Sequence, residues 1–111
     1  MKMTHKEYVE KQRKKAAELA RGMLDGSVHY LEGAIALSSL RSEVDVAEDD
    51  EDFMAFELIA SETDHLPVGA SRQYWSKETL ARHEPAIQKS IEWAKGFSLP
   101  HCQSLAGRFG V

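Results

Sequence analysis

The sequence lacks the residues that build covalent or metal-held frameworks. Its 111 residues include a single cysteine, Cys102, which excludes an intramolecular disulfide and an all-cysteine zinc site. The five histidines are scattered, and no two of them have the spacing of a helical zinc site. The acidic residues lack the central glycine of a calcium-binding loop. We therefore predict that the protein holds no metal ion and no cofactor.

Long hydrophobic runs and an excess of positive charge are also missing. No apolar run approaches the roughly 18 residues of a membrane-spanning helix, and residues 1–15 lack the apolar core of a signal peptide. The formal net charge is −4, from 14 Lys+Arg against 18 Asp+Glu, which argues against a nucleic-acid-binding protein. We expect a cytoplasmic protein that binds neither nucleic acid nor a membrane.

Common catalytic motifs are absent as well. The chain contains no G-x-S-x-G segment and no glycine-rich phosphate loop. Cys102 is either a nucleophile with a histidine partner or a small core residue, and a lone cysteine on an apolar face favours the core. We predict no catalytic residue.

Helix signals fill the first half of the chain. Thr4 and Glu7 have the spacing of a capping box, and Gly26 can end the helix that follows. Apolar residues recur at steps of three and four on both sides of this glycine. The pattern predicts two antiparallel helices, over residues 4–24 and about 28–44.

The second half continues in the same way. Residues 53–60 are almost continuously apolar, which fits a buried strand or a short buried helix, and the acidic residues before them favour the helix. Ser76 caps a fourth helix that Pro85 kinks or interrupts and Gly96 ends, and a short helix covers residues 100–106. The fold prediction is all-α: a compact array of four main helices plus a short C-terminal helix, forming one domain from all 111 residues.

The first helix has two further features. Its apolar stripe between residues 8 and 24 is weak in the first half and strong in the second, so we expect the helix to dock mainly by its C-terminal turns. The same half-apolar stripe suggests that the helix packs against a second copy of the chain in a homo-oligomer. Its basic run is either a solvated face or a local patch for an anion or an acidic partner. The run consists of Lys11, Arg13, Lys14 and Lys15.

Six carboxylates are concentrated in eight positions between the second and third helices. The simplest interpretation is a solvated helix cap, stabilised by the helix dipole. The functional interpretation is an acidic surface that attracts and binds a basic protein. The predicted partner-binding residues are Asp45, Glu48, Asp49, Asp50, Glu51 and Asp52.

The longest connection is the second candidate site, because long loops in compact domains are often functional. Carboxylates, an imidazole, an arginine and an indole lie close together in this stretch, as in acid–base sites. The alternative is a structural clamp, in which polar side chains bond to the backbone and the arginine holds the loop. The predicted ligand-binding residues of the 61–75 loop are Glu62, Asp64, His65, Arg72 and Trp75.

Two segments resemble those of a family of small uncharacterised bacterial proteins. Residues 20–26 match A-R-x-x-L-x-G and residues 61–69 match S-E-T-D-x-L-P-x-G, and residues 75–80 and 92–95 extend the likeness over most of the chain. The resemblance implies a bacterial origin but carries no known function. In size, acidity and helical character, the chain is also similar to immunity proteins that neutralise bacterial toxins.

These observations leave three functions open. The first is a non-enzymatic protein-interaction module, such as an immunity-type inhibitor that uses its acidic surface. The second is a small-ligand-binding protein or minor enzyme that uses the 61–75 loop. The third is a structural homo-oligomer.

Overall fold

The computed structural model describes residues 3–110, except for the side chains of Ala70 and Ser71. Within this range the chain forms four α-helices and two short 3₁₀ turns, and no strand. The α-helices are α1 (His5–Asp25), α2 (Tyr30–Leu40), α3 (Glu51–Glu62) and α4 (Lys77–Phe109), and the 3₁₀ turns are Arg41–Glu43 and Gly69–Tyr74. The predicted all-α fold is confirmed.

The predicted helix caps are present. The Thr4 hydroxyl accepts a hydrogen bond from the backbone N–H of Glu7 at 3.1 Å, and Ser76 caps α4 through the N–H of Thr79 at 3.2 Å. Gly26 follows α1 with a φ of 88°, in the left-handed region that favours glycine. These local signals therefore set where α1 and α4 begin and where α1 ends.

The helices pack against one another in the cyclic order α1, α2, α3, α4, and α2 also contacts α4 across the core. The four helices share one hydrophobic core. Phe53, Phe56 and Ile59 of α3 are fully buried, which confirms the helix predicted for this apolar run and gives it a central place. No helix within residues 3–110 is long and apolar enough to cross a lipid bilayer.

Helix α4 differs from its predicted form, because it continues from Lys77 to Phe109 without a break. The predicted end at Gly96 is wrong, and the predicted short C-terminal helix is the last part of α4. Both Pro85 and Pro100 lie inside the helix on exposed positions. A proline inside a helix costs about 3 kcal/mol, partly because the carbonyl four residues earlier loses its partner.

Burial explains why α4 tolerates these prolines. The unpaired carbonyls belong to Ala81 and Gly96, which are both exposed and accessible to water. A stripe of buried residues continues through the helix: Ile87, Ala94, Ser98, Cys102 and Leu105. Packing of this stripe against the other helices outweighs the local preference to break.

Helix α2 is shorter than predicted, because the α-helical hydrogen bonding stops at Leu40. The chain then tightens into the 3₁₀ turn, and Val44 after it is fully buried. The tighter turn places Val44 in the core and directs the chain into the acidic residues that precede α3.

The glycines of the helices offer a test of the α1–α2 packing. A Cβ atom on Gly22 would overlap the stiff side chain of Val28, whereas a Cβ on Gly96 would meet open space. We expect Gly22→Ala to lower the free energy of unfolding by about 1–2 kcal/mol, because the overlap outweighs the better helix propensity of alanine. Gly96→Ala should raise it by about 0.5–1 kcal/mol.

Urea denaturation of both variants measures these changes. Equal effects of the two substitutions would contradict the close approach of α2 to Gly22.

Candidate functional site

The buried carboxylate of Asp52 is the centre of the polar interactions between α3 and α4. It lies in the first turn of α3 and is only 8% exposed. It accepts hydrogen bonds from His101 Nδ1 at 2.8 Å, Ser104 Oγ at 2.6 Å and Arg108 Nη1 at 2.8 Å. These three donors occur at positions i, i+3 and i+7 of α4, so they lie on one face of that helix. The cluster fastens the start of α3 to the end of α4.

Asp50 extends the cluster by one residue. It is the N-cap of α3 and accepts from the backbone N–H groups of Asp52 and Phe53. Both of its oxygens also accept from the guanidinium of Arg108, at 3.1 and 2.8 Å. Two residues of the predicted partner-binding set, Asp50 and Asp52, are thus paired with Arg108 inside the protein.

The pKa values of the cluster follow from these contacts. The hydrogen bond from Arg108 holds the pKa of Asp50 below its usual value, although burial acts in the opposite direction. Burial also favours a higher pKa for Asp52, but the hydrogen bonds from Ser104, His101 and Arg108 outweigh it and lower that pKa. The two carboxylates in turn raise the pKa of Arg108. Both aspartates are therefore ionised at neutral pH.

The cluster has one feature of a catalytic site but lacks another. An ionised Asp52 fixes His101 with Nδ1 protonated, as the aspartate does in a catalytic triad. The Ser104 hydroxyl, however, donates to Asp52 and not to His101, so the imidazole does not activate it as a nucleophile. This geometry stabilises the fold.

The rest of the acidic run faces outward. The side chains of Asp45, Glu48, Asp49 and Glu51 are exposed, and none of them forms an ion pair with another residue in the described part of the chain. We call these four carboxylates the acidic surface. The structure thus divides the predicted set into two internal and four external residues.

Two arginines hold the backbone of this segment. Arg13 donates from Nε to the carbonyl of Val44 at 2.8 Å and from Nη2 to the carbonyl of Asp45 at 3.1 Å. Arg41 donates to the carbonyl of Glu48 at 3.0 Å, and to the carboxylate of Glu57 at 2.9 Å. Because both arginines contact main-chain oxygens of the segment, they order it and leave its carboxylates free.

The second predicted site is not assembled in one place. Arg72 and Trp75 line a shallow depression of about 550 Å³, and the Trp75 ring packs edge-on against His83 at 5.3 Å. Glu62 lines a different depression, beside Lys89 and Trp93. Asp64 and His65 are exposed and line neither of them. The five side chains do not converge on a shared pocket.

The predicted clamp of the loop is present only in part. The hydroxyl of Thr63 is buried, but it donates to the carbonyl of Ile59 at 2.7 Å and not to a loop backbone N–H. Arg72 is exposed and forms no ion pair with any residue that the structure describes.

Cys102 lies in the core. Burial raises the pKa of its thiol, which keeps the sulfur protonated and unreactive. Its Sγ atom lies 3.5 Å from the hydroxyl of Tyr30, which in turn donates to Ser98, and Ser98 donates to the carbonyl of Ala94. This chain of hydrogen bonds links α2 to α4 across the core.

The apolar stripe of α1 is mostly used within the chain. Val9, Ala16, Ala20 and Met23 are buried, whereas Tyr8 and Leu24 remain about two-fifths exposed. Little of the stripe is left for a second copy of the chain, and the homo-oligomer stays a prediction.

Sequence reasoning missed His101, Ser104 and Arg108 as partners of the acidic run. The available signal was their spacing, because residues at i, i+3 and i+7 share one face of a helix. Arg108, however, lies beyond residue 106, where the predicted short helix ended. It also missed that Arg13 and Arg41 bind main-chain carbonyls, which no spacing in the sequence indicates.

Loss of the Asp52 carboxylate should destabilise the protein. We expect Asp52→Asn to lower the free energy of unfolding by about 3 kcal/mol, because it leaves Arg108 and its neighbours partly unpaired. The exposed Asp49→Asn should change it by less than about 0.5 kcal/mol. Denaturation in urea at pH 7 compares the two variants. Similar free energies of unfolding for both would contradict a stabilising role of the Asp52 cluster.

The same cluster predicts a loss of stability in acid. The pKa values of Asp50 and Asp52 are lowered in the folded protein, so their stabilisation is present above the unfolded pKa of about 3.9. It is lost as the pH falls through the lower, folded values. A thermal unfolding series from pH 7 to strong acid should show this decline, and a double variant Asp50→Asn with Asp52→Asn should have a flatter profile. An equally steep profile in the double variant would assign the decline to other groups.

The comparisons with known proteins add no relative: no family model, no curated protein and no solved structure matches this chain.

Proposed function

We propose that this protein is a non-enzymatic interaction module that binds a basic protein partner through the acidic surface. The observation that carries the proposal is the division of the acidic run. Asp50 and Asp52 are paired with Arg108, whereas the four carboxylates of the acidic surface have no cation partner among the described residues.

The order of the segment supports this function. Arg13 and Arg41 hold its carbonyls, Asp50 caps α3, and Val44 is fully buried beneath it. A segment held in one conformation loses less conformational entropy when a partner binds. The carboxylates are thus presented from a backbone that is already ordered.

Electrostatics supports it further. Like charges that are exposed and unpaired raise the local potential, which accelerates association with a positively charged partner and makes binding sensitive to salt. The net charge of −4 acts in the same direction. The nearby Arg41 weakens this negative potential little, because its own charge is paired with the carboxylate of Glu57 at 2.9 Å.

One specific form of the proposal is an immunity-type inhibitor acting in the cytoplasm of a bacterial cell. Its partner would be a toxin with a basic surface, which the acidic surface would cover. The size, acidity and all-α fold of the chain are compatible with such a role.

Affinity capture followed by binding kinetics tests the proposal. The tagged protein is incubated with lysate of its source organism at low and higher salt, and a retained basic protein is purified for kinetic measurements. The variant Glu48→Gln/Asp49→Asn/Glu51→Gln should reduce its association rate by about tenfold at low salt. The variant Glu18→Gln/Glu78→Gln/Glu92→Gln removes the same charge from exposed positions elsewhere and should leave the rate nearly unchanged.

The proposal is refuted in either of two ways. The first is that no basic protein is retained at either salt concentration. The second is that both triple variants slow association equally, which assigns the effect to net charge alone.

A ligand-binding role of the 61–75 loop has one observation in its favour. Arg72 and Trp75 share the depression of about 550 Å³ with Leu80, so a cationic and an aromatic side chain face the same space. A thermal-shift screen of small anions and aromatic acids, with Arg72→Ala as the comparison, would detect such a ligand.

A further inference from the structure

A third depression, of about 270 Å³, lies between the middle of α1 and the end of α4. Its lining is mostly cationic and aromatic: Glu10, Arg13, Lys14, Arg108 and Phe109. Two members of the basic run of α1 therefore meet a third cation from the opposite end of the chain. The acidic surface contributes no side chain to this depression.

The two arginines are fixed by their other contacts. Both guanidinium groups lie over the Phe109 ring, with the guanidinium carbon of Arg13 at 5.2 Å and that of Arg108 at 5.0 Å from the ring centre. Arg13 is held by the carbonyls of Val44 and Asp45, and Arg108 by the two aspartates of the α3 cluster. A ligand that binds here would not have to order these side chains.

Donors and charge remain available after these contacts. Nη1 of Arg13, Nε of Arg108 and the ammonium of Lys14 have no partner among residues 3–110. The charge of Arg108 is more than compensated, because one guanidinium faces the two carboxylates of Asp50 and Asp52. Arg13 contacts only neutral carbonyls, so its charge is not compensated. Glu10 opposes this positive charge as the one carboxylate that lines the depression.

We propose that this depression binds the phosphate group of a small phosphorylated molecule. Guanidinium and ammonium groups are the donors that proteins use for phosphate oxygens. The Phe109 ring supplies an apolar wall for the organic group that carries the phosphate. The site adjoins the acidic surface, because Arg13 also binds the carbonyl of Asp45. It would bind an anion, whereas the acidic surface would bind a cationic partner.

Titration by NMR tests the proposal with inorganic phosphate and phenyl phosphate as probes. Both are added to the ¹⁵N-labelled protein at pH 7 and constant ionic strength, with chloride as the reference anion. We expect saturable shifts of the backbone amides of residues 10–14 and 108–109, with phenyl phosphate bound more tightly than phosphate.

Substitutions at three exposed positions of α1 should change the affinity for phosphate in three different ways. Lys14→Gln should weaken binding about two- to fivefold, and Glu10→Gln should strengthen it by a similar factor, because each removes one charge at the depression. Lys15→Gln removes a charge from the same helix but does not line the depression, and should leave the affinity unchanged.

Saturable shifts with these opposite effects support the proposal. It is overturned if neither probe produces saturable shifts, or if chloride produces the same shifts, which means an adventitious ion only. It is also overturned if Lys14→Gln and Lys15→Gln weaken binding equally, since the anion would then respond to the overall charge of α1.

Discussion

The carboxylate of Asp52 accepts three hydrogen bonds from one face of α4, and the position of α3 depends on them. Burial of a charge is costly unless every lone pair finds a donor, and His101, Ser104 and Arg108 supply these donors here. A shift of α3 along α4 by one turn would separate all of them from the carboxylate. The cluster therefore favours one register between two helices that apolar packing alone would fix less sharply.

Arg108 carries this constraint beyond the helix pair. It binds the N-cap of α3 through Asp50, and it also packs against Phe109. Phe109 in turn contacts Arg13, which holds the carbonyls of Val44 and Asp45 at the start of the acidic run. The irregular segment between α2 and α3 is thus ordered by side chains from both α1 and α4. The outward direction of the acidic surface is a consequence of this inner network.

The local elements of the fold were predictable because their causes are local. Thr4, Gly26 and Ser76 act on backbone groups within a few residues, so their effects can be read from spacing alone. The apolar run of α3 was ambiguous between strand and helix, and its acidic lead-in favoured the correct choice. The prediction failed at Gly96, where burial of the stripe through Ser98 and Cys102 outweighs a local preference for ending the helix.

The candidate sites were harder to predict, because charge pairing is decided between distant residues. All six carboxylates of the acidic run have the same appearance in the sequence. Only the approach of α4 separates Asp50 and Asp52, which are paired with Arg108, from Asp49 and its exposed neighbours. In the 61–75 loop the reverse holds, since residues that are close in sequence line two separate depressions.

The amino-acid sequence by itself determined the helical class, most helix ends and the location of the negative charge, since each depends on propensity, capping or composition over short distances. The tertiary structure alone decided which charges are paired, which arginines order the backbone and which cations gather beside Phe109. Those outcomes depend on side chains that meet across helices, and hydrogen bonds and ion pairs act only at the few ångströms that folding creates.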